Sequence, residues 1–242
     1  MITLRKSQAR GHANHGWLDS YHSFSFAEYY DSAHMQYSVL RVINEDKVAP
    51  GTGFGMHGHR DMEIITYMLG GEIEHQDSMG NGAVIKAGDV QRMSAGTGVR
   101  HSEVNASDNT EAHLLQIWLL PSQQGLPPSY EDKTIPYEQK LNQWRLIASP
   151  TARSQSLMIQ QDVELWATIL DAHHSITYDI QSTRCGYLQV ARGQVKLNGQ
   201  LLSAGDAAMI DAESHLQLQA LEESELLLFD LPSEHQSTAF TA

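Results

Sequence analysis

Between Gly51 and Asn105 the chain carries His57 and His59 one residue apart, and later His101 and Glu103 with the same spacing. Alternate side chains of a β-strand share a face, so His57 and His59 point the same way, as do His101 and Glu103 on a second strand. Two such strands facing each other bring three imidazoles and one carboxylate to a single point. Three nitrogens and one oxygen, with no thiolate, suit a first-row divalent metal such as iron, manganese, cobalt, nickel, copper or zinc, and do not suit calcium or magnesium. Open coordination positions would make the site catalytic. Four titratable groups converging on nothing would be costly to bury.

Glu63 has the same strand parity as His57 and His59, so it is a second candidate for the carboxylate. Glu103 is preferred because it lies two residues from His101 on the same face, whereas Glu63 would reach a different depth of the barrel. Glu63 then reads as a structural carboxylate, or one that orients a ligating histidine.

Short segments rich in Val, Ile, Leu, Tyr and Thr recur along the chain between Gly, Asp and Asn turns, as in YSVLRVI, MEIITYML, HLLQIWLL, GYLQVARG and ELLLFDL. Their spacing predicts an all-β fold of antiparallel sheets, with no strong helix. An internal repeat doubles the unit. MLGGEIEHQDSMGNGAVIKAGDVQRM matches VARGQVKLNGQLLSAGDAAMI, each a strand, a Gly-containing turn, a strand and an AGD turn before another strand. The prediction is two tandem, jelly-roll-like β-barrels: an N-terminal one over residues 1–135 with the metal site, and a degenerate C-terminal one over 136–242 without metal.

In the second copy SITYDIQ stands where the first has its histidine pair, and HLQLQ offers only His215. The adjacent His173 and His174 read as exposed loop residues. The LPSQQGLPPSYEDK stretch, whose prolines break a strand pattern, is the expected join. In the N-terminal RGHANHGW segment, His12, His15 and His22 match no common face and are not read as a second metal site. Trp17, Phe24 and Phe26 are expected to be buried where this segment packs across the barrels.

A formal net charge of −13 over 242 residues argues against direct nucleic-acid binding, since there is no cationic surplus to neutralise phosphates. The single cysteine, Cys185, excludes an intramolecular disulfide and fits a reducing compartment. No segment approaches the roughly 18 to 20 apolar residues of a membrane span, and the N-terminus has no signal-peptide pattern. A cytoplasmic protein with no membrane partner is expected.

RGHANHGWLDSYHSFSFAEYYD, HGHRDMEIITYMLGGEIEHQDSMGN and AGDVQRMSAGTGVRHSEVN together resemble the pirins, within the cupin superfamily, and most of all the bacterial pirin-like proteins described as quercetin 2,3-dioxygenases. The resemblance implies a bicupin with one metal ion, iron(II) foremost, held by His57, His59, His101 and Glu103. It also implies a reaction in which O2 opens the heterocyclic ring of a flavonol and carbon monoxide leaves, with Glu103 taking the proton of the substrate 3-hydroxyl. His75 and Gln116 are candidates to line the pocket from neighbouring strands, each with the alternative of an ordinary hydrogen-bonded strand residue. The sequence departs from the family at Gly58, where proline is common between the two histidines; glycine there loosens the strand and lowers the expected metal affinity. Two other functions fit the same residues: a metal-dependent regulator that docks on a protein partner, and another small-molecule reaction at the same site.

Overall fold

The segment MEIITYML is buried on both of its faces. Ile65, Tyr67 and Leu69 enter one apolar cluster, while Ile64 and Met68 enter two others on the opposite side. A strand with two buried faces reads as a continuous apolar run rather than a clean alternation, and it marks the middle of a multilayered molecule. The computed structural model describes residues 1–233; the C-terminal unit expected from the sequence extends to 242, and residues 234–242 lie outside the described residues.

In the first half the strands are β1 (Ile2–Arg5), β2 (Gly11–Asn14), β3 (Leu18–His22), β4 (Leu40–Val48), β5 (Gly53–His59), β6 (Glu63–Gly70), β7 (Glu72–Asp77), β8 (Gly82–Lys86), β9 (Asp89–Ser94), β10 (Val99–Val104) and β11 (Ala112–Leu119). The second half contains β12 (Ser129–Thr134), the short helix α1 (Tyr137–Lys140), β13 (Arg145–Ser149), β14 (Leu157–Met158), β15 (Glu164–Leu170) and β16 (Ser175–Asp179). It continues with β17 (Arg184–Arg192), β18 (Gln194–Leu197), β19 (Gln200–Ser203), β20 (Ala207–Ile210), β21 (His215–Ala220) and β22 (Ser224–Pro232).

Each half is a sandwich of a four-stranded and a seven-stranded sheet, β5-β10-β7-β8 on β12-β9-β6-β11-β4-β3-β2, then β16-β21-β18-β19 on β1-β20-β17-β22-β15-β13-β14. Apart from the two-residue β13–β14 pairing, the strands pair antiparallel. The two large sheets pack back to back: Ile43, Ile65, Tyr67 and Ile117 of the first share one cluster with Leu165, Tyr187, Leu227 and Phe229 of the second. The layers thus run small sheet, large sheet, large sheet, small sheet, and the two barrels expected from the sequence take the form of two face-packed sandwiches.

The internal repeat is visible strand for strand, β6-β7-β8-β9 matching β17-β18-β19-β20, and the pairing of β16 with β21 matches that of β5 with β10. The first strand of each half is exchanged. β1 adds to β20 of the second half and β12 adds to β9 of the first. The SYEDKT residues after the two prolines therefore form an edge strand where a loop was expected, since both prolines fall just before the pairing begins. Phe24 is buried against Tyr187 between the halves as expected, whereas Trp17 and Phe26 are only half-buried and serve a different purpose.

Candidate metal centre

The histidine pair lies on β5, at one edge of the small sheet of the first half, and pairs with β10 so that His57 stands opposite His101. A bulge follows: His101 pairs with His57 but Glu103 with Phe54, so β5 carries an extra residue at this point. The close approach needs Gly53, where a Cβ would lie 2.3 Å from the Glu103 carbonyl oxygen. Gly51 holds a φ of +68°, and its amide donates to the carbonyl of Asn105, whose own side chain donates to Val48 and Thr110 carbonyls. These contacts account for the glycines and the asparagine that frame the motif.

His57, His59 and His101 each offer a ring nitrogen within 4.8 Å of the other two. The Nδ1 of His57 lies 2.8 Å from the carbonyl of Gly55, which fixes that nitrogen as the donor and leaves Nε2 with its lone pair. That Nε2 is 3.1 Å from Nε2 of His101. Burial first, and then the neighbouring imidazoles, push His59 down to about 4 and His101 to about 3, so both rings are neutral at neutral pH. Imidazoles whose ring nitrogens converge, with His59 and His101 held neutral, are what a divalent transition ion requires, and the residues fit it. At Gly58 an added Cβ would meet nothing closer than 3.8 Å, so the strand tolerates a side chain there.

Glu103 reaches the same region from β10 and is 3% exposed. Its carboxylate rests on the inner face of the large sheet, where Gln91 Nε2 donates to Oε1 at 2.5 Å, Thr66 Oγ1 to Oε1 at 3.0 Å and Gln116 Nε2 to Oε2 at 2.7 Å. Gln91, Thr66 and Gln116 are direct cross-strand neighbours on β9, β6 and β11, and the row continues through Asn44 of β4 to His22 of β3. Tyr130 on the exchanged strand β12 donates to Gln91 Oε1 at 3.1 Å. The second half keeps the register but not the chemistry: Ala208, Leu188, Leu228 and Trp166 occupy the positions of Gln91, Thr66, Gln116 and Asn44. Its interior is apolar, and His215 instead meets Asp179 at an exposed position. Among the described residues the two groupings able to hold a metal both lie in the first half, the second being His75, His101 and Glu103.

Other expected residues fall as follows. Gln116 borders the cavity described next, whereas His75 is fully buried behind His101, stacked on Tyr130 at 4.5 Å. Glu63 faces away from the imidazoles; its carboxylate accepts from Ser94 Oγ at 2.8 Å and from the Gln160 amide of the second half at 3.1 Å. His173 and His174 are exposed in a turn. His12, His15 and His22 are spread along the cavity wall, His12 against Asp19 and His22 against Asn44.

That cavity, of about 950 Å³, opens onto His57, His59 and Glu103. Trp118 lies edge-on to His59 at 5.0 Å and Phe26 edge-on to Trp118 at 5.4 Å, while on the other side Phe54 packs near His57 with Trp17 edge-on to it at 5.2 Å. Trp17 and Phe26 are therefore aromatic walls and not core. A concave cavity with aromatic walls and a few converging polar groups at one point is the form of a small-molecule site.

The buried imidazoles predict a pH response in the metal-free protein. An unfolded imidazole titrates near 6.5, so below that pH the unfolded chain takes up protons that His59 and His101 refuse until about 4 and 3. Stability should fall as pH drops from 6.5 towards 4. Asp46, raised by burial to about 7, acts with the opposite sign, which makes the comparison with a variant the informative one. Urea unfolding of metal-free protein at pH 7.5 and 5 should show a smaller acid loss in His59→Gln than in the unsubstituted chain.

Two face-packed β-sandwiches in tandem, with a three-histidine cluster in the first and a buried glutamate that shares a second grouping with His101, define a bicupin. The Pirin family profile matches residues 3–119, and that of the quercetinase C-terminal cupin domain matches residues 146–231. Similar proteins include a quercetin 2,3-dioxygenase of Escherichia coli K12, 49% identical over 96% of this chain and 99% of its own length, and a pirin-like protein of Caulobacter vibrioides, 42% identical over 95% and 99%. The crystal structure of the bacterial pirin YhhW of E. coli in complex with nickel(II) superposes with a TM-score of 0.92 at 48% identity, covering 96% of this chain and all of that one. The chain belongs to the pirin family.

Proposed function

We propose that this protein is a metal-dependent dioxygenase that opens the heterocyclic ring of flavonols such as quercetin with O2 and releases carbon monoxide. His57, His59, His101 and Glu103 would hold one divalent ion, iron(II) foremost, with manganese, cobalt, nickel, copper and zinc as the alternatives. The observation that carries this reading is the His57, His59 and His101 cluster, with His101 shared by a second grouping that includes Glu103, beside a cavity bordered by His57, His59 and Glu103; the relatives named quercetin 2,3-dioxygenase support it. When bound, the ion supplies Lewis-acid polarisation of a substrate oxygen and a template for O2.

The chain supplies the rest. Trp118 with Phe26, and Trp17 with Phe54, enclose a planar aromatic and exclude water from the reacting end. Glu103 is the group assigned to take the proton of the 3-hydroxyl. A carboxylate has about four acceptor sites, and three donors already address it, so ligation and proton acceptance compete for what remains. Thr66 resolves the competition. Its single hydroxyl proton is 3.0 Å from both Glu103 Oε1 and Gln116 Oε1, and rotation towards Gln116 frees a site on Glu103.

No helix among the described residues is long and apolar enough to cross a membrane, and the buried, unpaired Cys185 suits the cytoplasmic setting assigned here. The test is to strip the protein of metal, reload it separately with iron, manganese, cobalt, nickel and copper, and follow oxygen consumption with quercetin. Equimolar loss of oxygen and flavonol that depends on the metal is expected. Tight metal binding with no uptake from any of them would overturn the assignment for this substrate.

A further inference from the structure

The cavity has a second polar centre. Asp46 stands on β4 two positions beyond Asn44, opposite Ser20 of β3 and Leu114 of β11, so it lies one step further along the floor than the row beneath Glu103. It borders the cavity and is 3% exposed. The Ser20 hydroxyl donates to Oδ1, and no described group donates to Oδ2. Glu103, the other buried carboxylate of the cavity, is addressed by three donors. Asp46 thus offers the cavity a carboxylate oxygen that no protein donor holds, beside the apolar Leu18, Trp17 and Phe54 that border the same cavity, and such an oxygen gains from a ligand donor that replaces water. Burial, with Glu103 and Glu45 as like-charged neighbours, lifts Asp46 to about 7 against the Ser20 bond.

We propose that Asp46, held in place by Ser20, exchanges a hydrogen bond with a hydroxyl on an aromatic ring of the substrate and thereby sets specificity. The preferred ligands are then planar aromatics with a metal-binding oxygen at one point and a hydroxylated ring that reaches β4. The inference rests on the flavonol reading of the cavity. It refines that reading, because an aromatic enclosure alone discriminates weakly between hydroxylated and bare rings, whereas a buried acceptor left unpaired by the wrong ligand discriminates strongly.

The experiment is calorimetric titration of nickel-loaded protein under nitrogen, where no turnover occurs, with quercetin and with 3-hydroxyflavone, which lacks the other ring hydroxyls. The unsubstituted protein should prefer quercetin, and Asp46→Ala should reduce the ratio of the two affinities by about tenfold. The isosteric Asp46→Asn should lie between the two, and Ser20→Ala should shift the ratio in the same direction; melting curves establish that each variant is folded. A ratio within twofold of the unsubstituted protein in both Asp46 variants, or no preference for quercetin at the outset, would overturn the proposal. Oxygen uptake measured in parallel separates the two readings. An Asp46-dependent preference without uptake from protein loaded with any of the five metals removes the dioxygenase assignment alone, and uptake with an unaltered ratio removes the role of Asp46 alone.

Discussion

Glu103→Ala is expected to weaken metal binding by at least about a hundredfold, the upper end of what loss of a hydrogen-bonding partner behind a ligand costs, and to bring quercetin-dependent oxygen uptake to the metal-free background. The reason lies in the floor beneath it. Gln91, Thr66 and Gln116 all present donors to the carboxylate, and the two amide groups can serve only an acceptor. Glu103→Gln should therefore behave like the alanine variant, although it keeps the shape. Its amide NH2 must face either Gln116 Nε2 or the Gln91 and Thr66 donors. Gln91 cannot reverse without loss, because its Oε1 takes the Tyr130 hydroxyl, and reversal of Gln116 would remove the acceptor that the Thr66 hydroxyl can turn to. Metal affinity measured by competition with a chromophoric chelator, beside oxygen uptake, checks both variants. Binding near the unsubstituted value in both would place the carboxylate outside the ligand set and leave the three imidazoles to hold the ion.

The meeting of His57 and His59 with His101 was legible because a strand has a period of two, so spacing states which side chains share a face. The row that supports Glu103 was not, apart from Gln116. Its members come from different strands, and an uncharged polar residue in an alternating segment looks like an ordinary solvent-facing position. The internal repeat holds the missing signal. Gln91 follows the AGD turn of the first copy by two residues, where the second copy has Ala208, and a polar residue kept at an inward position in one copy alone marks the half that does chemistry. The strand exchange left no such trace. β1 pairs with β20 across nearly the whole chain, and its four residues ITLR carry no mark of that distant partner. Trp17 and Phe26 were read as core because large aromatics are usually buried; a cavity wall half-buries them for the same apolar reason.

Lys140→Met should be strongly destabilising although it is remote from the cavity. Lys140 ends α1, just after the chain passes from β12 into the second half, and is 3% exposed. Its ammonium lies 2.8 Å from Glu225 Oε1 on β22 and 2.7 Å from the hydroxyl of Tyr67 on β6, while Tyr67 itself donates to Glu225 at 2.6 Å. Burial, with the Glu225 carboxylate second, drives Tyr67 well above the ordinary phenol range, so it remains a donor and no second negative charge forms. The trio joins β6 of the first large sheet to β22 of the second. Removing the ammonium leaves Glu225 buried with Arg192, 4.0 Å away and half-exposed, as its nearest cation. Breaking one side of a buried pair costs about 3–5 kcal/mol, which for a chain of this size corresponds to a melting point lower by roughly 6–20 °C. The double variant Lys140→Met with Glu225→Leu should recover much of the loss, since it removes the stranded charge as well as its partner. Calorimetric melts of the two proteins decide the matter: equal melting points would mean that packing around Lys140, and not the ion pair, holds the two sheets together, whereas recovery in the double variant would assign the cost to the unpaired carboxylate.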